Sequence, residues 1–265
     1  MLSPMAELLT TAPAEVRVRT LHGTPELQRA AGLLREVWAT QPGDDPPIAL
    51  DMLCALAHSG CYVAGAYLDD ELAGVAAGFL AADRSLHSHI AGVAPGARGR
   101  GVGRALKEHQ RAWAGERGLA SVSWTFDPLV RRNAFFNLAR LGARVSAYLP
   151  DFYGPMSDGL NDGGPSDRLL VTWPVAAPPP EEPSDQPPHR TIVDESGAVR
   201  EPEGAGLLRC ATPPDIEGLR SSDPAAARRW RAALHDGLGG ALGHGYHVTG
   251  FTRTGWYLLA RGGAR

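Results

Sequence analysis

The segment that most restricts the fold of this chain runs from His89 to Lys107. A short apolar run, His89-Ile90-Ala91-Gly92-Val93, leads into Arg98-Gly99-Arg100-Gly101-Val102-Gly103 and then Arg104-Ala105-Leu106-Lys107. The run reads as a strand, and the part from Gly103 as the start of an amphipathic helix. A strand, a glycine-rich turn and a helix N-terminus in that order make an anion cradle. Glycine lets the backbone approach an anion closely. The first helical turn offers N–H groups without carbonyl partners and a partial positive charge. Arginines add charge-assisted hydrogen bonds.

Two common phosphate motifs fail here. A Walker A loop ends in Gly-Lys-Ser/Thr, whereas Gly103 is followed by Arg104-Ala105. A G-x-G-x-x-G fingerprint counted from Gly99 meets Arg104 at its third glycine. A third pattern, R/Q-x-x-G-x-G/A, fits in register at Arg98, Gly101 and Gly103. It resembles the coenzyme A pyrophosphate loop of the GNAT acyltransferases. An ordinary glycine-rich turn before a surface helix is the plain alternative. The flanks extend the resemblance. Val93-Ala94-Pro95-Gly96-Ala97-Arg98 is similar to the end of that family's fourth strand, and residues 119–126 to its fifth. Residues 129–141 read as a helix opened by Asp127-Pro128 and closed at Gly142, with Leu141-Gly142-Ala143 resembling the family's Leu-Gly-Phe ending. Trp124-Thr125-Phe126-Asp127-Pro128-Leu129, Arg132-Asn133-Ala134 and Phe136-Asn137 resemble a bacterial branch of predicted acetyltransferases. Some members of that branch are thought to succinylate amino acids.

The resemblance covers about residues 15–174 and implies an α/β (α+β) mixed sheet, the GNAT fold, with a splayed central sheet and flanking helices. Periodicity alone supports only α/β or α+β. Residues 16–21 alternate as an edge strand, and Thr24-Pro25 opens a helix to about residue 39. A helix over 48–57, a hairpin over 61–81 turning at Asp69-Asp70, and a strand over 86–93 follow. Strands at 143–149 and 168–174 complete the domain. The organisation expected is a disordered N-terminus over 1–15, an acyltransferase domain over 16–174, a Pro-rich linker over 175–204, and a β-α-β-β extension over 205–265. That extension packs on the core or on a partner subunit.

Charge and cysteines limit the function classes. The formal net charge is −3, which argues against a general nucleic-acid binder. Three cysteines, Cys54, Cys61 and Cys210, lie far from any zinc spacing and suit a reducing cytoplasm. No run approaches a membrane span, and no metal is expected.

The chemistry that the resemblance implies is direct acyl transfer from acyl-CoA, as acetyl-CoA or succinyl-CoA, to a small-molecule amine such as an amino acid. The cofactor-binding residues it assigns are Val93, through its backbone N–H, Arg98, Gly99, Arg100, Gly101, Val102, Gly103, Arg104 and Asn133. Lys107 adds charge for CoA phosphate or lies on a solvated face. His87 and His89 share a strand parity and are the candidate bases, as imidazole accepts a proton near neutral pH. The family's tyrosine acid falls at Leu138, which cannot donate. Asn137, one turn from Asn133 on the same face, is the candidate catalytic donor; the two bond pantetheine amides or the leaving sulfur, or form ordinary polar surface while the thiol leaves without a dedicated acid. Trp124 and Asp127 are assigned to the substrate, Asp127 attracting its ammonium or else capping the helix. Arg228, Arg229 and Arg231 face an acidic group or solvent. A homodimer is compatible with this scheme. A non-catalytic acyl-CoA-binding regulator and a protein or peptide N-acetyltransferase are the alternatives.

Overall fold

The elements follow along the chain as β1 (Arg17–Thr20), α1 (Thr24–Val37), α2 (Leu50–His58), β2 (Tyr62–Leu68), β3 (Glu71–Leu80), β4 (Leu86–Val93), α3 (Val102–Glu116), β5 (Ser121–Phe126), α4 (Arg131–Ala134), β6 (Arg144–Leu149) and β7 (Arg168–Pro174). The computed structural model describes residues 15–154, 164–176, 178–180, 188–202, 204 and 206–262. The strands form one seven-stranded sheet, ordered β1-β2-β3-β4-β5-β7-β6. The β2–β3 turn is fixed by Asp69 and Asp70, with φ of 49° and 65°. Two left-handed residues match the right-handed twist of a hairpin, and Asp tolerates that conformation. The sheet is covered on both sides. Val63, Val75 and Ile90 pack with Leu27, Leu34 and Leu53 of α1 and α2. Tyr62, Ala64, Ala76 and Leu86 pack with Val102, Leu106 and Trp113 of α3.

One irregularity organises this sheet. The β3–β4 register passes from Gly78↔Ser88 to Ala77↔Ile90, so His89 is the extra residue of a bulge. A bulge bends its strand and re-aims a side chain. Just before it, β4 and β5 share only two parallel pairs, Leu86↔Val122 and His87↔Ser123. Beyond them β5 continues against β7 alone, and the edge of β4 facing β5 is left open.

The C-terminal part is larger than the sequence reading allows. It holds β8 (Arg190–Val193), β9 (Leu207–Ala211), α5 (Ile216–Ser222), α6 (Pro224–Leu234), α7 (Gly240–Gly243), β10 (Tyr246–Phe251) and β11 (Trp256–Arg261). A π-helical stretch, His235–Gly239, joins α6 to α7. The strands form a second sheet, ordered β10-β11-β9-β8. The span 175–204 is therefore not all linker: β8 lies within it and pairs parallel with β9. Its proline content masks a short strand whose Ile192 and Val193 are fully buried. Residues 177, 181–187 and 203 of that span, and 1–14 of the expected disordered terminus, lie outside the described residues. Smaller corrections concern helix starts. Gly23, not Thr24, precedes α1, and no side chain caps it. The helix placed at 129–141 begins at Arg131, because the Asp127 carboxylate accepts from Leu129 N in a turn of its own.

The second sheet and its helices are welded to the first layer. Ile192, Leu208, Phe251 and Tyr257 join the same apolar cluster as Val122, Trp124 and Val171. Tyr257 Oη donates to Pro128 O at 2.8 Å. At the centre of the junction, Asp127 is paired with Arg231 at 2.9 Å and with Arg220, from α6 and α5. The three side chains are only 8–12% exposed. Arg231 is therefore buried rather than solvated, whereas Arg229 pairs with Asp223 at the exposed start of α6.

Burial alone would raise the Asp127 carboxyl, but the charges of Arg231 and Arg220 outweigh it and hold the group below the ordinary range. A lowered value means that the folded state binds fewer protons than the unfolded one. This contribution is complete above about pH 4 and is lost as pH falls through the folded-state value. Asp127→Asn takes the anion from two buried guanidiniums. It is expected to cost about 3–5 kcal/mol at pH 7 and to flatten the acid loss of stability. Urea denaturation at pH 7 and pH 3 measures both; an unchanged midpoint at pH 7 would refute the clamp.

Candidate active site

The open edge of β4 leads directly to the glycine-rich loop. After Val93 the chain makes one short turn, Pro95–Ala97, and enters α3 through Gly99 and Gly101, with φ of 78° and 84°. A Cβ on either would meet no atom within 4 Å. These glycines are therefore demanded by backbone conformation, and the space in front of them is open. No side chain caps α3, so its first-turn N–H groups are available to an anion. Val93 lies beneath this turn: a Cβ on Gly103 would sit 3.7 Å from its side chain. Arg98, Gly99 and Arg100 are exposed. Arg100 stands 3.7 Å from Asp69, and Arg104 Nε donates to Glu108 at 2.7 Å. Exposed pairs of this kind are weak and are released easily to a stronger anion. Lys107 is on neither the phosphate side nor a solvated face. It points inward, 6% exposed, and donates to Ser88 Oγ at 2.9 Å.

On the other side of the sheet, over the same gap, lies a cavity of about 670 Å³. The α1–α2 loop contributes Trp38, Asp44 and Asp45, β4 contributes His89 and Ile90, β5 contributes Thr125, and Tyr153 and Arg168 close the far wall. Thr125 Oγ1 and Tyr153 Oη are 3.2 Å apart. Arg168 is 8% exposed and donates to Asp167 O at 3.0 Å, beside the Tyr153 ring. The bulge breaks strand parity: Ser88 turns to α3, while His89 and Ile90 both reach the cavity. Both histidine rings lie tilted against Phe79, with centroids 5.1 and 6.0 Å away. His87 lies deeper, its Nδ1 3.3 Å from Ser123 Oγ, and is not on the cavity wall.

Burial lowers the proton affinity of both histidines, and for His87 the charges of His89 and Lys107 lower it further against Asp83. Both rings are thus neutral near pH 7 and able to accept a proton.

Asn133 lies on α4, which continues as a π-helical stretch, Phe135–Arg140, that carries Asn137. Leu141 N bonds to Phe136 O, five residues back. Such widened turns recur at functional sites. Asn137 is 5% exposed and Leu138 is 7% exposed.

The two residues assigned to the substrate, Trp124 and Asp127, do not line the cavity. Trp124 is 5% exposed and faces α3, with the Lys107 ammonium 3.8 Å from its ring centroid. Its neighbour Thr125, of opposite strand parity, is the β5 residue on the cavity. Asp127 is occupied by two guanidiniums and does not line the cavity. Sequence reasoning missed Thr125, Tyr153 and Arg168. Strand parity at β5 signals the first; Tyr153 comes from a distant turn and Arg168 from the first position of β7, and neither carries a motif. Among the described residues no group of three His, Cys, Asp or Glu is placed to hold a metal ion, and no helix is long and apolar enough to cross a membrane.

The histidine environment makes a direct prediction. His87 and His89 should titrate below the ordinary 6.5 in the folded chain, their ring protons followed by NMR, with His87→Gln assigning the pair. Midpoints at or above 6.5 would contradict the burial described here.

Residues 30–142 match the model of the acetyltransferase (GNAT) family. Among solved structures, the ribosomal-protein-S18-alanine N-acetyltransferase from Escherichia coli aligns with a TM-score of 0.50 at 16% identity, over 62% of this chain and 96% of that one. An N-acetyltransferase from Staphylococcus aureus Mu50 aligns with a TM-score of 0.50 at 10% identity, over 61% of this chain and 99% of that one. At these identities the likeness is one of fold. No curated protein matches the chain.

Proposed function

Residues 30–142 belong to the acetyltransferase (GNAT) family, and on that premise we propose that this N-acetyltransferase moves an acetyl or succinyl group from acyl-CoA to a small amine that carries a carboxylate, such as an amino acid. One observation carries the reading: the anion loop and the acceptor cavity open onto the same unpaired edge of β4, from opposite faces of the sheet.

The residues divide the work by position. The N–H groups of the first α3 turn, with Arg98, Arg100 and Arg104, hold the phosphates at one end of the gap. The free backbone N–H near Val93 bonds the acyl carbonyl and stabilises the oxyanion that forms there. His89, on the cavity wall, takes the proton from the acceptor amine directly or through one water, and His87 stands behind it. Arg168 binds the acceptor's carboxylate, while Asp44 and Asp45 at the rim draw in its ammonium. Asn133 bonds the amides of the CoA arm and Asn137 donates to the departing sulfur. Transfer is direct, and most of the acceleration comes from holding donor and acceptor together.

The loop assignment is tested by calorimetry with CoA. Arg98→Ala and Gly101→Asp should each weaken CoA binding at least about tenfold, with melting temperature changed by only a few degrees. Equal CoA affinity in wild type and Gly101→Asp would sink the assignment.

The reaction is tested by thiol release from acetyl-CoA and succinyl-CoA with amines that carry or lack a carboxylate. Turnover should favour the carboxylate-bearing amines, and His89→Gln should lower kcat by about 10²–10⁴. Tight CoA binding without turnover on any amine would instead favour a regulator that senses acyl-CoA.

A further inference from the structure

The apex where β4 and β5 part carries different chemistry on its two faces. His87 and Ser123 form the last pair across the strands and contact each other on the face away from α3. The next residues, Ser88 and Trp124, turn to the other face. There they hold Lys107, whose Nζ lies 2.9 Å from Ser88 Oγ and 3.8 Å from the Trp124 ring centroid. Gln110 Nε2 donates to the same hydroxyl at 2.9 Å. No carboxylate pairs with Lys107 among the described residues.

Of the 26 lysine and arginine residues in the chain, Lys107 is the only lysine. Every other basic position uses a guanidinium, which stays charged at any accessible pH. A buried amine can surrender its proton, and burial pushes Lys107 down to about 7. Below that pH the ammonium stands across one strand from His87. Burial acts most strongly against protonation of His87; the charged groups that add to it are His89 on β4 and Lys107 on α3, while Asp83 in the β3–β4 turn favours protonation. Ser123 on β5 and Phe79 on β3 complete its surroundings without charge.

We propose that Lys107 is a positioning residue of the proton-transfer site: anchored beneath the apex by Ser88 and Trp124, its ammonium acts through β4 to keep His87 neutral on the acid side of neutrality. His87 then remains able to accept a proton at pH values where an uncoupled imidazole in its place would be charged. The consequence for catalysis rests on the function proposed above; the coupling itself does not.

Lys107→Met and Lys107→Arg separate charge from packing. The methionine removes a buried charge without a carboxylate partner and should melt at or above wild type. It should raise the His87 midpoint, read by NMR, by about half a pH unit or more. The arginine keeps the charge and should hold the midpoint within about 0.2 of wild type. If the methionine variant does not fold, Lys107→Gln carries the same comparison. The acid limb of acyl transfer should move with the midpoint. A midpoint unmoved by loss of the charge, or one moved equally by methionine and arginine, overturns the proposal. A shifted midpoint with no thioester turnover would instead overturn the proposed function and leave the coupling standing.

Discussion

Everything that gives this chain a site follows from two neighbouring parallel strands that pair for two residues and then part. Backbone N–H and C=O groups on a central strand ordinarily find their partners in the next strand, and leaving them open inside a covered sheet is costly unless something else bonds them. Here β4 keeps its bonds to β3 and gives up those to β5 beyond His87. The bulge at His89 bends the strand at the place where the separation begins. The same distortion turns Ser88 toward α3 and His89 toward the cavity, so one extra residue both opens the gap and sorts the polar groups on its two faces.

The parted strands need support from outside the sheet. β5 is held by β7 along its whole length, and its far end is fixed by Asp127, bound from α5 and α6 by two guanidiniums. The C-terminal sheet thus belongs to the same apolar core as the strands that frame the gap. An ion pair buried to this degree gains little net stability over an apolar contact but is costly to break. It fixes the end of β5, one wall of the cavity, to α5 and α6.

Much of the fold is legible along the chain. The boundaries of β4 and β7 are read correctly at 86–93 and 168–174, and the hairpin turn at Asp69-Asp70 is where alternation and turn chemistry place it. Local signals were strong there: β-branched runs, left-handed turn residues, glycines before a helix. The same signals mislead where proline dominates. β8 hides in the Pro-rich span because its partner, β9, follows it in the chain and pairs with it only through the tertiary fold. Asp127 shows the limit from the other side. Followed by Pro128 it carries the signature of a helix cap, and it does accept a local N–H. Its second oxygen, however, is claimed by arginines about a hundred residues later in the sequence.

The sequence by itself determined the glycine-rich loop, because its determinants are local: two glycines at positive φ, a helix start and arginines within a few residues of one another. It likewise determined the order of strands and helices from β1 to β7. Only the tertiary structure decided which side chains meet. It put His89 rather than His87 on the cavity wall, brought Tyr153 and Arg168 to face it, buried Trp124 and Asp127 away from the cavity, and buried the one lysine under the apex. Those outcomes depend on a bulge that reverses strand parity and on contacts between segments far apart in the chain, neither of which has a local period or composition to read.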